Sequence, residues 1–154
     1  MNAGAAGPRA HLGQTGTTVT TLLTQSNSRQ MVTSFYQGTV LWGVRSDSTT
    51  FQVIIRLYRG SSLIAEKTGS YSTSSSVKTF EVHFSQRVAI RAGVSYTATV
   101  QKTTSARSFA LTDGMASTSC SGVTVTFKSS SKDSNGSSQS AGQIPVLIFR
   151  SSQC

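Results

Sequence analysis

The stretch VTVTFK, Val123 to Lys128, places Val123, Val125 and Phe127 on one side of an extended chain and Thr124, Thr126 and Lys128 on the other. Side chains of a strand alternate between its two faces, so this pattern predicts a strand with one face buried. The same period recurs upstream. Phe51, Val53, Ile55 and Leu57 alternate with Gln52, Ile54, Arg56 and Tyr58, and Tyr96, Ala98 and Val100 alternate with Thr97, Thr99 and Gln101. Phe80, Val82 and Phe84 share a face opposite Thr79, Glu81 and His83, which points His83 away from the core.

Shorter signals fill the intervals. Thr17 to Thr24 (TTVTTLLT) and Met31 to Val44 (MVTSFYQGTVLWGV) are β-branched or aromatic and flank the turn-forming SNSRQ. The Arg59-Gly60-Ser61 turn leads to Leu63–Thr68 as a hairpin partner, and an Ala-Gly turn separates Val88 and Ile90 from Val94–Lys102. GQIPVLIFR, Gly142 to Arg150, is apolar on both faces after Pro145, the mark of a strand covered on both sides. Ser129 to Ala141 is a polar loop with the turn pair Asn135-Gly136 at its middle. The chain carries 28 Ser and 21 Thr, poor residues for helix interiors, and shows no helical period. The reading is all-β: an antiparallel β-sandwich of about ten short strands in a single domain. Residues 1–16, small and Gly-rich, are expected to be a flexible leader, residues 17–150 the sandwich, and residues 151–154 a tail.

At 154 residues such a domain removes roughly 70% of its unfolded surface from water, enough for a core without metal or disulfide staples. Cys120 and Cys154 are too few for a disulfide framework, so a reduced, cytoplasmic protein is expected, with a single bridge in a secreted protein as the alternative. No run of about 18 apolar residues is present, so no membrane insertion is expected. Fourteen Lys and Arg against five Asp and Glu give +9 and a pI near 10.3. The cations are scattered singly, without a basic block, and the excess reflects a shortage of acids on a Ser/Thr-rich surface. Tyr58 beside Arg56 and Arg59 is the one cluster that suits base stacking.

Catalytic chemistry lacks its parts. His11, His83, Cys120 and Cys154 are spaced too widely for a metal site. Asp47, Glu66, Glu81, Asp113 and Asp133 fall in five segments, and no G-x-S-x-G elbow accompanies the many serines. Glu81 and His83, two apart on an outward face, read as a solvated pair. Asn135-Gly136-Ser137 matches a glycosylation sequon but reads as a turn. The residues argue against an enzyme, and no cofactor is implied.

The C-terminal third is more specific. GVTVTFKSSSKDSNGSSQSAGQIPVLIFR, Gly122 to Arg150, resembles the end of the PHR domain, a β-sandwich of Highwire-type giant ubiquitin ligases that also occurs beside BTB domains in substrate adaptors. The marks are an apolar-Thr-Phe strand end, the turn Asn135 to Ser137, and the Gly142-Gln143-Ile144-Pro145 strand start. Val40-Leu41-Trp42-Gly43 resembles the family's Gly-Leu-Tyr-Gly segment with Trp42 in place of Tyr, and Val82 to Val100 resembles the segment that leads to Tyr-Thr-Ala at Tyr96. The family's Gly-, Trp- and Phe-rich opening and its Asp-Ala-Ile strand are not recognisable, so the chain resembles a divergent copy, such as the second of the paired domains in a Highwire-type ligase.

The resemblance implies a non-catalytic domain that binds substrate or regulatory proteins of the ubiquitin pathway through loops at one end of the sandwich. Loops on a rigid scaffold carry function, and Trp and Arg are favoured anchors. Trp42, Gly43, Arg45, Asn135, Gly136 and Gln143 are therefore the candidate partner-binding residues. Gly142, Ile144, Pro145 and Tyr96 are the structural residues of the family motif. Two other functions are carried beside this one: binding of nucleic acid or another anionic surface, driven by the charge, and carbohydrate binding by a secreted sandwich.

Overall fold

A computed structural model describes residues 2–3, 16–27, 34–43, 49–74, 76, 79–103, 117–120, 123–128, 130, 144 and 146–151. Among them the β-branched and aromatic stretches form ten strands: β1 (Asn2–Ala3), β2 (Gly16–Asn27), β3 (Ser34–Trp42), β4 (Thr49–Arg59), β5 (Ser62–Thr73), β6 (Thr79–Ile90), β7 (Ser95–Lys102), β8 (Ser117–Cys120), β9 (Val123–Lys128) and β10 (Val146–Ser151). Gly60 and Gly93 turn the chain between β4 and β5 and between β6 and β7 with φ of 59° and 74°, a left-handed backbone that glycine adopts without steric cost.

The strands form two antiparallel sheets, one in the order β1-β10-β3-β6 and the other β5-β4-β7-β2-β9-β8. Their facing side chains make one core. From the six-stranded sheet come Phe51, Val53, Ile55 and Leu57 of β4, Tyr96, Ala98 and Val100 of β7, and Val125 and Phe127 of β9. From the other come Tyr36, Leu41, Val82, Phe84, Ile90, Leu147 and Phe149. The expected all-β sandwich is the observed fold, and the alternating faces of β4, β7 and β9 are its inner faces. Tyr36 sits with its ring centroid 5.6 Å from that of Phe84 and 5.4 Å from that of Phe149. Its burial pushes the phenol well above the ordinary tyrosine range, against a smaller opposing effect of a hydrogen bond with Thr39.

Several expectations differ in detail. Thr97 and Thr99, on the outward face of β7, are nonetheless buried. Strand β7 is flanked by β4 and β2, and the long side chains of Tyr58 and Arg56 lie directly opposite Thr97 and Thr99. Thr79–Phe84 and Val88–Ile90, read as separate segments, belong to the single strand β6. It is broken inside by a bulge: Tyr36 pairs with Val88 but Gly38 with His83, so Phe84–Arg87 stand opposite Gln37 alone. The β10 ladder breaks at the same point of β3. A bulge shifts the inward phase, which is why Tyr36 and Leu41, of opposite parity, both enter the core. Of the segment expected to be a leader, Asn2 and Ala3 pair with Ile148 and Leu147, Gly16 opens β2, and the rest lies outside the described residues. In β10, Leu147, Ile148 and Phe149 are all buried, as its two-sided apolar pattern requires.

Candidate functional site

Strand β3 ends at Trp42, followed by the buried Gly43. Its register sets Trp42 opposite Thr79 and Leu41 opposite Phe80. Lys102, the last residue of β7, reaches this end and donates from Nζ to the Trp42 carbonyl at 2.7 Å. Its ammonium lies 6.0 Å from the centre of the Phe80 ring. Phe80 is in turn held edge-on by Phe51 at 5.7 Å and packed on Tyr71 at 5.1 Å. Thr103 closes the corner by donating its N–H to the Gln52 carbonyl at 3.0 Å and accepting the Gln52 N–H on Oγ1 at 3.1 Å.

Lys102 is only 4% exposed. Removal from water penalises its charged form and brings the pKa down from 10.5 to about 7. The sequence reading counted Lys102 among scattered surface cations. The signal that it is not one was present: the inward phase of Tyr96, Ala98 and Val100 continues at residue 102. Trp42 adds a second polar group here. Its ring is half-buried, and the Nε1 donor is buried with no acceptor among the described residues. An unpaired buried donor costs on the order of 1–3 kcal/mol, and the fold carries that cost at the residue singled out as an anchor.

Of the other expected residues, Ile144 is fully buried and Val146 opens β10 opposite Val40, so β10 enters its sheet at the Trp42 end. Tyr96 is buried, and its hydroxyl oxygen accepts the Arg91 backbone N–H at 2.9 Å. This pins the β6–β7 turn, five residues upstream in the chain. Tyr96→Phe removes only that acceptor and is expected to cost about 1 kcal/mol in urea denaturation. An unchanged midpoint would show that the turn is held by Gly93 alone. Arg45, Asn135, Gly136, Gly142, Gln143 and Pro145 lie outside the described residues.

Among the described residues no group of three or more His, Cys, Asp or Glu is placed to hold a metal. Glu81 and His83 do meet, Oε2 to Nε2 at 2.7 Å, with both side chains substantially exposed. Arg56, from the expected base-stacking cluster, is tied to Glu66 Oε2 at 2.6 Å and to Gln101 Oε1 at 3.1 Å, so its charge is already engaged.

Comparison with known proteins matches the family model of the PHR domain over residues 29–150. BTB/POZ domain-containing protein 3 of Mus musculus is 34% identical over 115 residues, 75% of this chain and 22% of the relative; the Homo sapiens protein of that name matches with the same identity and coverage. BTB/POZ domain-containing protein 6-A of Danio rerio is 32% identical over 115 residues, 75% of this chain and 21% of its own length. The chain spans about a fifth of the length of these curated relatives.

Proposed function

This chain belongs to the PHR domain family, and from that premise we propose that it is a non-catalytic protein-interaction module of a ubiquitin-ligase adaptor, working in the cytoplasm. The observation that carries the proposal is the family match, which spans the sandwich from before β3 to the end of the apolar part of β10. The relatives are named for a BTB/POZ domain, which favours the adaptor setting over a copy from a Highwire-type ligase. The partner is a substrate or regulatory protein of the ubiquitin pathway. It is gripped at the end of the sandwich that holds Trp42 and Gly43, with the segments carrying Arg45, Asn135, Gly136 and Gln143 contributing. Trp42 is the anchor in this reading because its ring is part-exposed on a rigid strand end and tryptophan is favoured at binding hot spots.

The test is capture of cytosolic proteins on the immobilised chain after nuclease treatment, at about 0.15 M salt and again at about 1 M, where screening falls to a few Å. Ubiquitin-pathway proteins retained at both salts support the proposal. Trp42→Ala, with its melting temperature checked, is expected to weaken that capture about tenfold or more. Capture that disappears with nuclease or salt removes the protein-interaction reading in favour of an anionic ligand.

A further inference from the structure

Strand β5 is an edge of the six-stranded sheet and β6 an edge of the four-stranded sheet. Each carries an irregularity in the ladder to its own sheet neighbour. The β4–β5 register breaks between Leu57 and Tyr58, leaving Ile64 as an extra residue, and the β6 bulge projects Phe84–Arg87. Between the two bulges lies an open groove of about 460 Å³, its apolar lining made by Ile64, Ala65, Phe84 and Val88. Beside it, Ala65 to Ser70 pairs with Leu57 to Gln52 without a break, and no strand among the described residues is hydrogen-bonded to the other side of β5; farther along, Tyr71 packs against Phe80 of β6. Every second residue of this stretch therefore turns its backbone N–H and C=O outward, the arrangement that templates an added strand. The edge of β6 is irregular over Phe84–Arg87 and does not offer such a ladder.

Charge selects the occupant. Glu66, the one acid among the described residues of the groove, is paired with Arg56 at 2.6 Å. Arg87 lies on the opposite wall, its guanidinium carbon 5.0 Å from the centre of the Phe35 ring, and no carboxylate among the described residues pairs with it. The whole chain carries +9. We propose that an extended, acidic segment of a protein partner adds as a strand to the outer edge of β5, setting an apolar side chain into the groove over Phe84 and Val88 and a carboxylate on Arg87. This inference rests on the domain being a protein-binding module, but not on the placement of the partner around Trp42.

The experiment is selection of displayed random peptides of about ten residues, the length of a long strand, on the full chain. Selected peptides are expected to combine Asp or Glu with apolar residues at alternate positions. Binding is expected to slow amide exchange at alternate residues of Ala65–Ser70. N-methylation of alternate peptide nitrogens abolishes it, because each removes a ladder donor. Arg87→Glu, at an exposed side chain and so compatible with folding, weakens binding about tenfold, while Trp42→Ala leaves it unchanged. Failure to select any binder, or affinity indifferent to Arg87→Glu, overturns the proposal. A concentration-dependent dimer of the chain with β5 protected overturns it too, by assigning the edge to a second copy. Peptides that lose affinity with Trp42→Ala and leave β5 exchange untouched overturn it while leaving the protein-interaction reading intact.

Discussion

The stability of the folded chain is expected to rise as pH is raised from about 7 towards 9.5, and replacing Lys102 with Met is expected to remove the part of that rise due to this group. In the folded protein burial brings the Lys102 ammonium down to about 7, whereas in the unfolded chain it titrates near 10.5. Between these values the unfolded state binds the extra proton and the native state does not, so raising the pH favours the native state. The slope contributed by this one group is roughly 1.4 kcal/mol per pH unit across the window. Below about 7 the lysine is charged in both states, and the penalty for burying the ammonium is fully present. Lys102→Met keeps a flexible side chain of similar length without a charge. It gives up the bond to the Trp42 carbonyl, worth about 1 kcal/mol, and escapes the desolvation of a buried cation. Urea denaturation of both proteins at about pH 7 and about pH 9.5 makes the comparison, because groups common to both cancel and the upper limit stops short of tyrosine ionisation near 10. Equal slopes in the two proteins would show that Lys102 keeps its proton throughout.

Gly38→Ala is expected to lose about 3 kcal/mol, the upper part of the overpacking range. A Cβ at this position would overlap the Val82 carbonyl oxygen and lie 2.8 Å from His83 Cα. Both are backbone atoms of the neighbouring strand, so relief requires β6 to move away from β3. The ladder has little freedom there, since β3 is paired on its other side by β10 and both ladders break register beside Gly38. Gly93→Ala is the control. There φ is 74° with open space around the position, so the cost is backbone strain alone, on the order of 1 kcal/mol. Thermal and urea unfolding of the two variants separate these causes. A Gly38→Ala loss no larger than that of Gly93→Ala would mean that the bulge absorbs a methyl group.

Much of the fold was legible because a strand with one buried face writes its environment at period two. Phe51, Val53, Ile55 and Leu57 are all buried at 3% exposure or less, and Val125 and Phe127 at 1%. The two-sided apolar run near the C-terminus announced an interior strand, and β10 indeed lies between β1 and β3. Gly60 and Gly93 mark turns where only glycine takes the required φ without cost. At the candidate site the outcome was mixed. Trp42 could be singled out by its residue type and its place in a family motif. Its unpaired indole donor and its carbonyl bond to a lysine 60 residues away could not, because no local pattern reports a partner so distant in the chain. Lys102 shows the conflict directly, since its position in the alternation pointed inward while its charge pointed outward. A lysine's four-carbon stem allows either outcome.

By itself the amino-acid sequence determined the class of the fold, the inner faces of its regular strands, the turns at Gly60 and Gly93 and its family. Each of these depends on periodicity or on a contiguous motif, which local chemistry records. Only the tertiary structure decided the order of strands in the two sheets, the bulges of β3, β5 and β6, the burial of Thr97, Thr99 and Lys102, and the groove between β5 and β6. Register and edge position are properties of pairs of strands far apart in the chain. Which strands are left at an edge, and which polar groups are carried inside, is settled when the two sheets close on one another.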